Sequence, residues 1–241
     1  MSDQKDYFSK TRHPWSCLAF LIPFILAYEL GVLYLGGREH EQLRNGADKW
    51  IREAFKAVGL PPLYLLIPSL LMIGLGIWSY RRRQDRPREM LGTLLGMMIE
   101  SFAFGLVLWG ISRGLAPFSS TFGMTLSDPE MKKRASLLVT YLGAGIYEEL
   151  LFRLILFAGL VWFFVKAELP TGVAIGISAL ISALVFAAAH HFGPQGEPFL
   201  PFVFFFRLIA GVYFAMVLRF RGFGVAVGTH AFYDVAVGIL K

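Results

Sequence analysis

Long apolar stretches alternate with short polar connections along the whole chain. Each stretch has about 20 residues or more, which is enough for a helix to cross roughly 30 Å of hydrocarbon. The pattern therefore predicts an all-α, polytopic transmembrane helical bundle with about seven spans, within a range of six to eight. The predicted spans are residues 15–36, 60–79, 91–113, 136–165, 172–190, 199–218 and 223–240.

The fourth apolar stretch, residues 136–165, is too long for one upright helix. A helix longer than the hydrocarbon is thick accommodates the difference by tilting or kinking. We therefore expect this stretch either to tilt or to break near Gly143 and Gly145 into two elements. A break into two spanning elements would raise the number of spans and move the loops that follow to the opposite side of the membrane.

The connection between the first two spans contains a candidate amphipathic helix from Ala47 to Val58. Charged residues lie opposite a face that carries most of its large apolar side chains, a pattern typical of a helix lying in the membrane interface. These side chains are Trp50, Ile51, Phe55 and Val58. Residues 114–136 and 190–201 are punctuated by Gly and Pro and are predicted to be irregular loops.

Composition supports the membrane interpretation. The chain is 56% hydrophobic and only 17% charged, whereas about a quarter of the residues in a soluble domain are charged. We interpret residues 1–241 as a single integral membrane domain. The one cysteine, Cys17, excludes an internal disulfide and a cysteine metal cluster.

The net charge of +6 has a local source in residues 80–90, where five arginines stand against one aspartate and one glutamate. A short basic loop between spans usually faces the cytoplasm, and it can also bind anionic headgroups. We favour this interpretation over nucleic-acid binding. It places the N-terminus in the cytoplasm and residues 37–59 on the outside.

Several ionisable residues fall inside predicted spans. A charge at bilayer depth costs at least about 2.5–3.5 kcal/mol, so such residues are candidates for function by default. For Glu29 and Glu100 we favour structural pairing, with Arg207 as a candidate partner. The full set is Glu29, Glu100, Glu148, Glu149, Arg153, His190, Arg207, His230 and Asp234.

The spacing of these residues predicts polar stripes on three helices. Glu149 and Arg153 are four residues apart, so they share one helical face and can pair. Glu148 points roughly 100° away from Glu149 on a regular α-helix and has no local partner. Phe186 and His190 are also four residues apart, and so are His230 and Asp234. We expect the stripes to face a shared interior.

The residue types fit hydrolysis of a peptide bond. A carboxylate and an imidazole around one water form a general base. A second histidine with a neighbouring aspartate can stabilise a developing oxyanion. The chain contains no HExxH, which argues against the common zinc hydrolases. Its one GxSxG string, residues 110–114, ends the predicted apolar span 91–113 and does not follow a strand, so it lacks the strand-to-helix turn that the serine hydrolase motif needs.

Three short segments resemble the motifs of the CAAX-protease and bacteriocin-processing family, which includes the Ras-converting CAAX endopeptidase. They are "EELLFR" (148–153) for EExxxR, "FAAAH" (186–190) for FxxxH and "HAFYD" (230–234) for HxxxN/D. They occur in the family's order, each in an apolar stretch, within a motif-bearing core of about 136–240. Residues 1–130 contain no motif of the family.

The resemblance implies a glutamate-dependent intramembrane endopeptidase without a cofactor or bound metal. Its substrate would be a peptide or a membrane-anchored protein cut near the C-terminus, and its location the plasma membrane of a bacterium. Carried over by position, the implied roles are water activation by Glu148 with His190, orientation by Glu149 and Arg153, and oxyanion stabilisation by His230 and Asp234.

The last motif position departs from the eukaryotic CAAX enzymes, which have Asn where this chain has Asp234. An ionised aspartate accepts hydrogen bonds and donates none. Asp234 therefore has two possible roles, either within the oxyanion pair or as the group that orients His230.

Three other functions stay open from the sequence alone. Glu148, His190 and His230 could instead be ligands of a catalytic zinc ion. The chain could also be a non-enzymatic immunity or partner-binding protein, as some relatives are linked to bacteriocin immunity. A proton-relay transporter is disfavoured because the paired half-repeats expected of one are missing. Substrate identity and oligomeric state are left open.

Overall fold

The computed structural model describes residues 7–37, 40–60, 65–115, 131–193 and 196–239, and all regular structure within these ranges is helical. This confirms the predicted all-α class. The helices are α1 (Tyr7–Thr11), α2 (Pro14–Gly36), α3 (His40–Leu43), α4 (Gly46–Ala57), α5 (Leu66–Arg81), α6 (Met90–Leu115), α7 (Met131–Gly143), a π-helix (Ala144–Phe157), α8 (Ala158–Lys166), α9 (Thr171–Ala189), α10 (Pro201–Arg221) and α11 (Phe223–Ile239), with a 3₁₀ turn at Arg83–Asp85.

Four of the described helices, α2, α6, α9 and α10, are long and apolar enough to cross a membrane. The shorter helix α5 is also apolar. Many large apolar side chains on these helices are exposed, including Leu30 and Leu91, as expected where lipid replaces water as the solvent. The protein is therefore an integral membrane protein, and the number of its spans stays a prediction.

The long fourth stretch changes its helix type where a break was expected. The α-helix α7 ends at Gly143, and the π-helix begins at Ala144 without interruption. Gly143 keeps right-handed helical angles (φ −62°, ψ −42°), and the N–H of Ala158 donates to the carbonyl of Arg153, five residues earlier. The stretch thus divides into two elements because its backbone hydrogen bonds change from the α-helical i→i+4 to the π-helical i→i+5 pattern. No loop separates the two helices.

Helix α2 lies at the centre of the apolar core and packs against α5, α6, α7 and α11. Its buried side chains include Phe20, Leu21, Phe24 and Val32. Helix α11 packs in turn against α6, α10 and the π-helix. Elements from both halves of the chain therefore surround one interior.

The predicted amphipathic helix is confirmed as α4, but its charged side is not wholly turned to water. Asp48 is fully buried and Arg52 is 7% exposed, whereas Val58 just beyond the helix is 72% exposed. Asp48 binds Arg44 and Arg52 at 2.7 Å each. Because these charges neutralise one another, α4 can pack its polar side against the bundle.

Three segments lie together at one end of the bundle, namely α1, the arginine-rich segment 80–90 and the turn at Gly222. Lys10 Nζ lies 3.1 Å from Glu89 Oε2, and the hydroxyl of Thr11 donates to the carbonyl of Arg221. The Arg86 guanidinium lies 3.4 Å from the ring centre of Trp15. The side of the membrane that this end faces stays a prediction. Of the loop predicted at 114–136, residues 116–130 lie outside the described ranges.

The π-helix approaches α11 closely at Gly145. A Cβ on this residue would lie 2.8 Å from the carbonyl oxygen of Val227 and 3.0 Å from Cβ of Ala231. Small residues allow such close packing between membrane helices. Gly145 thus sets how near the two glutamates that follow it come to α11.

We predict that Gly145→Ala destabilises the protein by about 1–3 kcal/mol, since the added methyl group overpacks the contact with a backbone carbonyl. The matched control is Gly159→Ala on α8, where an added Cβ meets nothing within 4 Å. Thermal unfolding in detergent measures both. Equal melting temperatures for the two variants would contradict the close contact.

Candidate active site

The π-helix carries the first motif into the interior of the bundle. Glu149 and Arg153 are fully buried, and Glu148 is 9% exposed. The i→i+5 hydrogen bonds make the turn wider than in an α-helix, and such segments are frequent at functional sites. Three ionisable side chains are thereby concentrated on the inner side of one element.

The carboxylate of Glu148 lies between two imidazole rings. Its Oε2 is 3.9 Å from Nε2 of His190 and 3.7 Å from Nε2 of His230. Both distances exceed the range of a direct hydrogen bond. The other oxygen, Oε1, accepts a hydrogen bond of 2.9 Å from the side-chain amide of Asn45. The two oxygens of this carboxylate thus have different surroundings.

The tautomer of neutral His190 follows from its position at the end of α9. Its Nδ1 is 2.8 Å from the carbonyl oxygen of Phe186, one turn earlier. A carbonyl only accepts hydrogen bonds, so Nδ1 carries the hydrogen. The neutral ring then has its lone pair on Nε2, which faces Glu148. The FxxxH spacing accounts for this orientation.

His230 is fixed on α11 by two contacts. Its Nδ1 lies 2.8 Å from Glu149 Oε1, and its ring stacks on Phe214 with 4.4 Å between centroids and 12° between planes. Its Nε2 is 3.7 Å from both Glu148 Oε2 and Asp234 Oδ2. Glu149 therefore orients the ring at Nδ1, whereas Asp234 lies on the Nε2 side.

Arg153 provides the permanent positive charge next to this cluster. Its Nη1 lies 3.4 Å from Glu149 Oε1, which confirms the predicted pair. The guanidinium carbon is 4.0 Å from the ring centre of Phe186. Phe186 thus contacts Arg153 with its ring and holds His190 with its carbonyl, so the first two motifs are packed against each other.

All six residues predicted from the three motifs come together in this one cluster, which defines the candidate active site. They lie on the π-helix, at the end of α9 and on α11. The distances show that these six side chains lie close together, while their catalytic roles stay a prediction.

The other intramembrane charges have structural partners. Glu100 pairs with Arg221 at 2.6 Å, and Arg207 pairs with Glu197 at 2.7 Å. The expectation that Arg207 would pair with Glu29 or Glu100 is therefore wrong. Arg207 lies near the start of α10, beside the segment that carries Glu197, whereas Arg221 ends α10 close to Glu100.

Glu29 belongs to a second buried polar cluster, next to the candidate site. It accepts a hydrogen bond of 2.5 Å from the hydroxyl of Tyr147, and Arg44 lies 3.5 Å away. Tyr147 directly precedes Glu148 in the chain. The α4 region and the motif-bearing half are therefore joined by polar contacts as well as by packing.

Asn45 is the site residue that sequence reasoning missed. It lies outside all three motifs, and the only local signal is its place just before the amphipathic helix, where asparagine is a preferred N-cap. Nothing in that signal indicates a contact with Glu148, which lies 103 residues further along the chain.

The described parts of the chain contain no group of three His, Cys, Asp or Glu side chains arranged to hold a metal ion. The arrangement does combine a carboxylate, two imidazoles and a guanidinium inside an apolar bundle. Such a combination can accept, donate and stabilise protons and charge in the absence of bulk water.

Residues 131–236 match the family model described as Type II CAAX prenyl endopeptidase Rce1-like. The matched segment contains all three motifs and confirms the resemblance identified from them. The match supports protease activity of the CAAX type in a membrane. No curated protein and no solved structure matches the chain.

We predict that Arg153→Met lowers the free energy of unfolding by about 3–5 kcal/mol, because it leaves the buried Glu149 carboxylate without its permanently charged partner. The control is Arg219→Met, which removes the same charge from an exposed position. Chemical or thermal unfolding in detergent gives both values. If the two variants are equally stable, Arg153 does not neutralise the site.

Proposed function

Starting from the match of residues 131–236 to CAAX-type proteases, we propose that this protein is an intramembrane endopeptidase that uses Glu148 to activate water. The proposal rests on one observation above all. Oε2 of Glu148 lies within 4 Å of Nε2 of both His190 and His230, inside the bundle. These separations suit a water that bridges Glu148 and His190, with Nε2 of His230 beside it.

In the first step, Glu148 and His190 bind and orient the attacking water. The neutral His190 accepts one hydrogen bond at Nε2, and Glu148 takes the other proton as the water oxygen attacks the peptide carbonyl carbon. A new C–O bond forms, and the carbonyl oxygen becomes an oxyanion. A positioned base of this kind contributes about 10²–10⁴-fold to the rate.

His230 stabilises the oxyanion in its protonated form. Glu149 accepts from Nδ1, which leaves the N–H of Nε2 free to donate to the oxyanion. The carboxylate of Asp234, 3.7 Å from Nε2, favours the positive charge on the ring. An ionised Asp234 donates no hydrogen bond, so we assign it to His230 and not to the oxyanion itself.

The second step breaks the peptide bond. The tetrahedral intermediate collapses, its C–N bond breaks, and the carboxylic acid of Glu148 returns its proton to the departing amine. The immediate products are a carboxylic acid and an amine, and Glu148 regains its starting charge. The second water proton, still on the new acid, then passes to the amine, which gives a carboxylate and an ammonium group. Glu149 and Arg153 keep the ring of His230 in place throughout.

The substrate would be a peptide or a membrane-anchored protein cut near its C-terminus, as the family resemblance implies. The side chains of His190 and Asp234 are 23% and 21% exposed, against 12% for Glu148. A polypeptide would therefore reach Glu148 past these two residues. We place the protein in a bacterial plasma membrane with its N-terminus in the cytoplasm.

We predict that Glu148→Gln abolishes cleavage, with a loss of about 10²–10⁴-fold, because an amide cannot take the proton from water. Quantitative proteomics of membranes from cells expressing the wild type or the variant would identify the substrate as the protein whose fragment disappears. The control is Glu53→Gln on the exposed side of α4, which should leave the fragment unchanged.

If no fragment depends on Glu148, the enzyme proposal fails. The non-enzymatic alternative of a membrane immunity or partner-binding protein would then be preferred. A phenotype that persists in Glu148→Gln would point to the same conclusion.

We also predict that cleavage survives treatment with a zinc chelator, since the proposed mechanism uses protein side chains alone to activate water. The assay would follow the identified fragment in metal-depleted detergent preparations, beside a zinc peptidase that must lose activity. Loss of cleavage that zinc restores would favour the alternative in which Glu148, His190 and His230 are metal ligands.

A further inference from the structure

Asn45 contacts the candidate active site from outside the segment that matches the family model. It is 8% exposed, and its Nδ2 donates to Oε1 of Glu148 at 2.9 Å. The contact joins the residue before α4 to the π-helix, across 103 positions of sequence. None of the three motifs accounts for it.

We propose, on the basis of the function proposed above, that Asn45 is a positioning residue for Glu148. Its amide binds one oxygen of the carboxylate and thereby turns the other towards His190 and His230. A side chain held in this way enters the reaction already oriented. Such preorganisation matters because a displacement of about 1 Å can cost about 10²-fold in rate.

The orientation of the Asn45 amide is determined by its neighbours. Its Oδ1 accepts from the backbone N–H of Ala47 at 2.8 Å, and a backbone N–H only donates. An ionised Glu148 only accepts, so it must face the NH₂ group. One side chain therefore caps α4 with its oxygen and holds Glu148 with its nitrogen.

The backbone of Asn45 is fixed as well. Its N–H donates to the hydroxyl oxygen of Tyr28 at 3.0 Å, and that hydroxyl donates to Asp48 at 3.0 Å. Asp48 is bound in turn by Arg44 and Arg52. The buried charges of α4 thus form a rigid support, which explains why this helix turns part of its polar side inwards.

The first test separates the cap from the contact with Glu148. Asn45→Asp keeps an N-cap acceptor of the same size but loses the amide donor and places a second carboxylate beside Glu148. We expect its melting temperature to fall. In the double variant Asn45→Asp/Glu148→Gln, the new amide can donate to the new carboxylate, so the melting temperature should recover towards that of Glu148→Gln alone.

This comparison needs no substrate, so it stays informative even if the proposed protease activity fails. Absence of recovery in the double variant would show that the two side chains do not interact, and it would overturn the proposal. Gln42→Glu makes the same amide-to-acid change at an exposed neighbouring position and should leave the melting temperature unchanged.

The second test measures catalysis with a synthetic peptide that spans the cleavage site found in the comparison of wild-type and Glu148→Gln membranes. Asn45→Ser keeps a capping oxygen but is too short to reach Glu148. We expect its kcat to fall about 100-fold, as for a misplaced catalytic group, with KM unchanged. An unchanged kcat would overturn the positioning role.

The pH profile gives a readout that a purely structural role would not change. In Asn45→Asp, Glu148 loses a donor and gains a negative neighbour, so it binds a proton more readily. The acidic limb of the rate profile should therefore move to higher pH. The other ionisable groups that interact with Glu148 are His190 at the end of α9, Arg153 on the π-helix, and His230 and Asp234 on α11, and none of them is substituted. An unmoved acidic limb would contradict direct contact.

Discussion

The need to neutralise buried charge shapes this structure more than any other constraint. Ionised side chains inside an apolar bundle persist only with partners, because taking a charge out of water costs several kcal/mol even after relaxation. Glu149 is the central example, since one of its oxygens contacts both Arg153 and the Nδ1 of His230. That contact joins the π-helix to α11 and sets the separation at which Glu148 faces two imidazoles.

The same constraint explains the second buried cluster. Asp48 is compensated by Arg44 and Arg52, and Glu29 by Tyr147 and Arg44. Either cluster alone would be a local structural feature. Asn45 links them, because its backbone N–H binds Tyr28 in the second cluster and its amide binds the Glu148 carboxylate. The carboxylate proposed to act in catalysis is thus held in part by residues outside the segment that matches the family model.

The periodicity and spacing of apolar and charged residues made much of the fold and of the candidate site predictable. The helical class, the approximate extent of most apolar helices and the Glu149–Arg153 pair depend on contacts within one helix, which residue spacing determines. The convergence of the three motifs followed from the cost of leaving them in lipid. The π-helix was not predictable, because it depends on tertiary packing around Gly145. The partners of Asn45 and Arg207 also depend on how distant elements pack, which a single sequence does not encode locally.

The placement of His230 on α11 has a consequence for biogenesis. Helices enter the membrane in the order of synthesis, and α11 follows α10 with only Gly222 between them. A nascent chain that has inserted everything up to α10 therefore holds Glu148 and His190 but lacks the imidazole that Glu149 orients. Under the proposed mechanism, the site would therefore be complete only once this last described helix has packed against α6 and the π-helix.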